Sequence, residues 1–303
     1  MHDKMLDYYR TQSELSDPGK FASYFDELPN SIEELCKIVQ NTFFHIFWIK
    51  KKENYGFTPA DIIEQGRDPS KELNIRNIEE KLKLYYTLEA KSFTEKRKNI
   101  NRVIGNCRDF ALLLVSMLRH KGIPARVRSG AAMYFFPLEL EKHEDHYICE
   151  YWNDEENRWK MVDPQLDELQ RKVLQLSVDF TLDLPYEQFL DAGRTWLKFR
   201  KGDVPPENFG IFEWRGEMFA LNKLIMDLAS LNKVEVLAWE SWGICGKIAN
   251  IKKLGYDIFD ELAENISQIN DPRVFFELKD LFENDDRYKV PENYKPWFMK
   301  FES

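Results

Sequence analysis

Apolar positions at Ile32, Leu35, Val39, Phe43 and Ile46 recur at helical spacing behind the polar start Asn30-Ser31 and the acidic pair Glu33-Glu34. A hydroxyl cap, early negative charge and one apolar stripe predict a helix that lays a single face on a core. Residues 54–72 interrupt the pattern with Gly56, Pro59, Gly66 and Pro69, which reads as a connecting loop with one helical turn at 60–64. A further helix is expected over about 75–91. The best-marked element follows Asn106, where Phe110, Ala111, Leu114, Val115 and Leu118 keep helical spacing. Arg119, His120 and Lys121 then meet the negative end of the helix dipole, and Gly122 supplies a left-handed C-terminal cap.

From Ile123 the period changes. Pro124, Val127 and a short alternation predict a strand, with a second near 131–136. The aromatic and β-branched runs 146–152 and 158–163 flank the turn-forming segment Asn153-Asp-Glu-Glu-Asn157 and predict an antiparallel hairpin. Closing that hairpin with Trp152 opposite Asn157 sets His146 opposite Asp163, on one face of the sheet. Helical patterns return near 185–198, 218–231 and 256–269. Helices, then a helix with strands, then more helices predict an α+β fold with a helix packed on an antiparallel sheet, not a wound βαβ sheet. Three segments are expected: a helical segment at 1–95 packed on the core, the core itself at 96–170, and a mainly helical region at 171–303.

Composition narrows the function classes. Of the 303 residues, 43% are hydrophobic and 14% aromatic, enough for a buried core and far from the make-up of disordered chains. The net charge of −9 offers no general attraction for phosphate backbones or anionic lipid, so no nucleic-acid partner is expected. No apolar run approaches the roughly 20 residues of a membrane span. Residues 1–17 lack the basic start and apolar run of a secretory signal, so a cytoplasmic location and no membrane association are expected. Cys36, Cys107, Cys149 and Cys245 are too scattered for a disulfide framework. His120, His143 and His146 lack metal-ligand spacing, so neither a metal nor another cofactor is expected.

Candidate chemistry then centres on Cys107. A thiol attacks as thiolate, which a helix N-terminus and a nearby imidazole both favour. Cys107 opens the predicted helix, and Gly105-Asn106 let the chain turn into it. The hairpin brings a base, His146, and a carboxylate able to fix its tautomer, Asp163. Cys149 points to the other side of its strand and, with Cys36 and Cys245, reads as core. His143 reads as solvated loop, and Asp145, Asp154 and Asp167 are alternative carboxylates, although only Asp163 ends an apolar strand opposite the base. Arg126 and Arg128 share a strand face and read equally as substrate-carboxylate binders or as a solvated surface. Asp109 reads as a partner of the helix dipole, and the Trp239–Trp242 segment with Gly243 and Gly246 as core packing.

The stretch Gly105-Asn-Cys-Arg-Asp-Phe-Ala111, the Leu-rich helix after it, Arg119-His-Lys-Gly-Ile-Pro-Ala-Arg126, Asp145-His146 and Trp159-Lys-Met-Val-Asp163-Pro164 together resemble the bacterial transglutaminase-like core. The resemblance covers about residues 100–166. It implies a papain-like arrangement in which Cys107, His146 and Asp163 form a catalytic triad that moves or hydrolyses an acyl group through a thioester. The implied substrate is a peptide or an amide-containing small molecule, with hydrolase and transferase both open and the oligomeric state undetermined. A non-catalytic binding module of the same fold is one alternative. An arylamine N-acetyltransferase-like enzyme is another, although its Arg-Gly-Gly lead-in is replaced by Ile104-Gly105-Asn106. By analogy alone, His45 or Trp48 on the upstream helix is a candidate second oxyanion donor beside the Cys107 N–H, while the residues themselves read first as part of a buried aromatic cluster.

Overall fold

The computed structural model describes residues 1–244 and 253–300; Cys245 and Gly246 lie outside the described residues. Helix α1 (His2–Arg10) is followed by α2 (Ile32–Thr42), whose N-cap Ser31 accepts from the Glu34 N–H at 3.4 Å. The expected continuation of α2 to Ile46 does not occur. At Phe43 the chain straightens into β1 (Phe43–His45), which pairs in parallel with β2 (Val103–Gly105) and sets His45 beside Gly105. Phe43 enters the main core while Phe44 enters a second apolar cluster, so successive side chains are buried on opposite sides. A strand does this naturally and a helical turn does not.

Segment 54–72 is more helical than the sequence suggests. Short helices at Pro59–Glu64 and Pro69–Leu73 each start with proline, which at a first helical position costs no hydrogen bond. Helix α3 (Ile78–Leu88), capped by Asn77, is shorter than expected, and α4 (Cys107–His120) begins and ends as its caps predict, with Gly122 left-handed at φ +73°.

The predicted pair of strands after Pro124 is one strand, β3 (Ala125–Ala132). It lies antiparallel to β4 (His143–Asn153), which also pairs antiparallel with β5 (Arg158–Val162). The β4–β5 hairpin differs from the expected register by two residues: Asn153 faces Arg158, Trp152 faces Trp159 and Cys149 faces Val162. Asn157, at φ +51°, is a left-handed turn residue and takes no place in the ladder, a role for which Asn is suited. Three short strands unforeseen in the sequence, β6 (Phe189–Asp191), β7 (Phe209–Ile211) and β8 (Trp214–Arg215), extend the sheet to the order β6-β3-β4-β7-β8, with β5 on β4. The β4–β7 contact is parallel, so the sheet is mixed and not wholly antiparallel.

Helices α6 (Glu217–Leu231) and α7 (Asp257–Ser267) match the later helical patterns; α5 (Ala192–Lys201) takes only the second half of the pattern at 185–198, whose first half holds β6, and α8 (Pro272–Asn284) was not read from the sequence. The fold is α+β. One apolar cluster runs from Met5 in α1 through Leu112–Leu114 of α4 to Trp196, Leu224, Phe259 and Tyr288. Trp242 joins it, donating its indole N–H to the Tyr288 carbonyl at 2.9 Å. No described helix is long and apolar enough to cross a membrane.

Candidate active site

Helix α4 starts at Cys107 because the residues around it satisfy the free N–H groups of a helix start. Asn106 Oδ1 accepts from Arg108 N at 3.0 Å, and Asp109 Oδ2 reaches back to the Asn106 N–H at 3.1 Å. Asp109 is itself buried and held by Lys81 Nζ at 3.0 Å and Arg108 at 3.1 Å. Gly105 suits this turn, since a Cβ there would press on the Asp109 side chain at 3.3 Å. The Cys107 N–H, first in the helix, has no intrahelical acceptor. Its thiol is recessed, the residue being only 8% exposed.

His146 lies on β4, near enough to Cys107 for the thiol to act on its ring electrostatically. His146 Nε2 meets Asp163 Oδ2 at 2.8 Å, which leaves Nδ1 as the nitrogen available to the thiol. Burial works against a charged imidazole here. The Asp163 carboxylate and the nearby Cys107 outweigh it and raise the His146 pKa to about 10. Asp163 is held independently of the ladder: its N–H donates to the Thr181 carbonyl at 2.9 Å, Oδ1 accepts from Gln165 N at 2.9 Å, and Oδ2 accepts from the Tyr134 hydroxyl at 2.7 Å. Tyr134 was not singled out from the sequence; burial and the adjacent Asp163 charge push its phenol well above the usual range. An aromatic residue just past a strand end carries no sequence signal for such a bond.

His45 is buried on a strand, not on the upstream helix as the sequence suggested, and Phe47 N donates to its Nδ1 at 3.4 Å. That bond assigns the ring proton to Nε2. Burial, with the charge of His146 added, lowers the His45 pKa to about 3, so its imidazole is neutral and a donor through Nε2. Trp48 is half-buried in a short turn.

Other expectations are corrected. His143 is not solvated loop: it is fully buried at the start of β4, stacked on Phe209 with ring centroids 4.5 Å apart, and its Nδ1 meets the Glu141 carbonyl at 2.7 Å. Arg126 and Arg128 are neither solvated nor free for substrate. They share Glu150 at 2.7 and 2.9 Å, and Arg128 also pairs with Asp227 at 2.8 Å. Asp145 pairs with Lys223 at 2.7 Å, Asp167 accepts from Tyr55 Oη at 2.6 Å, and Asp154 is exposed in the hairpin turn. Cys36 and Cys149 are buried in the main core, where burial pushes both thiols far above the ordinary range. A cavity of about 290 Å³ between β5 and residues 183–186 includes none of Cys107, His146 and Asp163.

The site thus holds a buried imidazole–carboxylate pair near a cysteine at a capped helix start. Residues 58–164 match the family model of the Transglutaminase-like superfamily. That span, about a third of the chain, is similar to a transglutaminase-like core. It ends at Pro164, one residue past Asp163, and begins well before β2. The chain is also similar to a solved structure, a putative cysteine protease from Cytophaga hutchinsonii, at 16% identity over 61% of this chain, with a TM-score of 0.30. The match covers 44% of that protein's chain, so this chain spans under half of it. No curated protein matches. The family match supports a cysteine-type enzyme in general terms.

Proposed function

We propose that this protein is a cysteine-dependent acyltransferase or hydrolase acting on an amide, with Cys107 as nucleophile, His146 as proton carrier and Asp163 as the residue that orients and charges His146. The observation that carries the reading is the buried His146–Asp163 pair, 2.8 Å apart, near a cysteine at a capped helix start. A His146 held protonated near neutrality suits a resting thiolate–imidazolium pair.

The steps follow from that pair. Cys107 Sγ attacks the carbonyl carbon, and the oxyanion forms toward the Cys107 N–H, with neutral His45 Nε2–H as second donor. His146 gives its proton to the amine nitrogen as the C–N bond breaks, leaving a thioester. Water or an amine then attacks the thioester, His146 takes the proton from it, and the sulfur leaves as the resting thiolate. Asp163 remains ionised throughout and keeps Nε2–H directed at itself. The substrate is a peptide or a small amide.

Iodoacetamide at about pH 6.5 tests the nucleophile, because a free thiol of ordinary acidity is nearly inert there. Cys107 should be alkylated while Cys36 and Cys149 stay unmodified, and p-nitrophenyl acetate should give a burst of one acyl group per chain, lost after alkylation. Labelling of Cys107 only in strong alkali, with no burst, would favour a non-catalytic module.

A further inference from the structure

Three segments far apart in sequence bring aromatic rings around the two imidazoles. Phe135, next to Tyr134, packs its ring edge-on to His146 with centroids 4.8 Å apart. Phe47, two residues beyond His45, lies 5.2 Å from that imidazole. Phe212, at the tip of the β7–β8 hairpin, meets Phe47 edge-to-face at 5.0 Å and 88°. Trp214 follows on the same hairpin, exposed.

Phe135 is half-buried against the apolar cluster of Tyr134 and Ile148, but core packing does not account for the other two rings. Phe47 is 38% exposed and Phe212 57% exposed, so much of their apolar surface faces water. Phe212 also holds a left-handed backbone at φ +49°, a conformation that disfavours a bulky side chain. A strained, solvent-facing Phe is kept in place by its surroundings: Arg215 Nε donates to the Phe212 carbonyl at 2.8 Å, and Arg215 pairs with Glu144 of β4 at 3.3 Å. Strain of this kind gathers where a site needs a side chain presented outward. The recessed Cys107 thiol restricts what reaches it to a slender, flexible segment.

We propose that Phe47, Phe135 and Phe212 form an apolar rim that selects a flexible peptide segment bearing an aromatic or large aliphatic side chain beside the reacting amide. This rests on the reading of Cys107 as nucleophile and names the substrate class for that site. The apolar side chain lodges between the Phe47–Phe212 pair and Phe135, while its neighbouring carbonyl enters between His45 and His146. The exposed rings lose their water on binding, which is the source of the preference.

The test uses the full chain and two chloroacetamides of equal intrinsic reactivity, one N-phenethyl and one N-carboxyethyl. In each, the Cys107 thiolate forms an S–C bond and expels chloride. The ratio of the two second-order rates cancels any change in the thiol itself. The expected ratio is roughly 10 to 100 in favour of the phenethyl probe, from burial of one phenyl group. Phe47→Ala, Phe212→Ala and Phe212→Gly should each lower it several-fold, the glycine variant with a raised melting temperature because the strain is relieved. A ratio near one in the unaltered protein, or an undiminished ratio in the variants, overturns the rim. So does a variant effect confined to self-association, read by light scattering with the ratio unchanged. Failure of both probes and of iodoacetamide to label Cys107 removes the nucleophile reading and this one together, whereas labelling without preference removes only the rim.

Discussion

Asp163 does not face His146 across the hairpin; the register that pairs Cys149 with Val162 puts Asp163 across from Ile148, two residues along, and its carboxylate still meets His146 Nε2 at 2.8 Å. A shift of two preserves the face, because side chains alternate with period two. A diagonal neighbour on the same face remains within reach of a long or ring side chain. The carboxylate is therefore aimed less by strand pairing than by Tyr134, Gln165 and the Thr181 carbonyl.

That anchoring makes Asp163→Asn a useful variant. The amide keeps the shape and the backbone bond to Thr181 but only one of the two acceptor oxygens, so the chain should fold with some loss of stability, and the amide no longer stabilises imidazolium. Iodoacetamide alkylation of Cys107 near neutral pH should fall at least about tenfold, and acyl turnover by about 10³- to 10⁴-fold. Unchanged alkylation and turnover would remove Asp163 from the site.

A second expectation concerns stability against pH. The folded His146 pKa is raised to about 10, above the unfolded value of about 6.5. The folded state therefore holds a proton that the unfolded state releases between those values. The stabilisation is fully present below about pH 6.5 and is lost as the pH rises through about 10, with a magnitude on the order of a few kcal/mol. The gap in melting temperature between the unaltered protein and Asp163→Asn should be widest near pH 6.5 and close toward pH 10. A gap constant across that window would contradict the protonated resting imidazole.

Sequence alone exposed the parts of this site that are local. Asn106, Asp109 and Gly122 bracket α4 because caps act within a few residues, and the alternating aromatic runs betrayed the hairpin. The register went astray at Asn157, whose left-handed backbone belongs to the turn. Parts fixed by distant partners stayed hidden. Arg128 looked like a surface or ligand residue because its partner Asp227 lies 99 residues away. His45 looked helical because the strand that straightens it, Val103–Gly105, comes from the next part of the core. Buried charges defeat pattern reading, since polarity ordinarily signals solvent.

His45 carries its own test, since donation to an oxyanion matters only where a carbonyl becomes tetrahedral. His45→Ala should cut the p-nitrophenyl acetate burst rate by about 10²- to 10³-fold. Alkylation by iodoacetamide, which develops no oxyanion, should change far less. His45→Gln restores a donor and should recover part of the loss. Equal losses in both reactions would make His45 a structural residue only.

Lys81 tests what holds the cysteine helix in place. Its ammonium is wholly buried beneath the start of α4, donating to the Glu72 carbonyl at 2.8 Å and the Ile104 carbonyl at 3.0 Å while pairing with Asp109 at 3.0 Å. Burial lowers its pKa and Asp109 opposes that shift. Lys81→Met removes one of the two cations paired with Asp109 and one donor from each of the Glu72 and Ile104 carbonyls, so unfolding free energy should drop by about 3–5 kcal/mol. Adding Asp109→Asn removes the charge left with one cation, so the double variant should be less destabilised than the sum of the single changes. Denaturant unfolding of all four proteins measures that coupling. Additive losses would mean that the two residues stabilise the helix start separately, and that the ion pair contributes nothing of its own to the placement of Cys107.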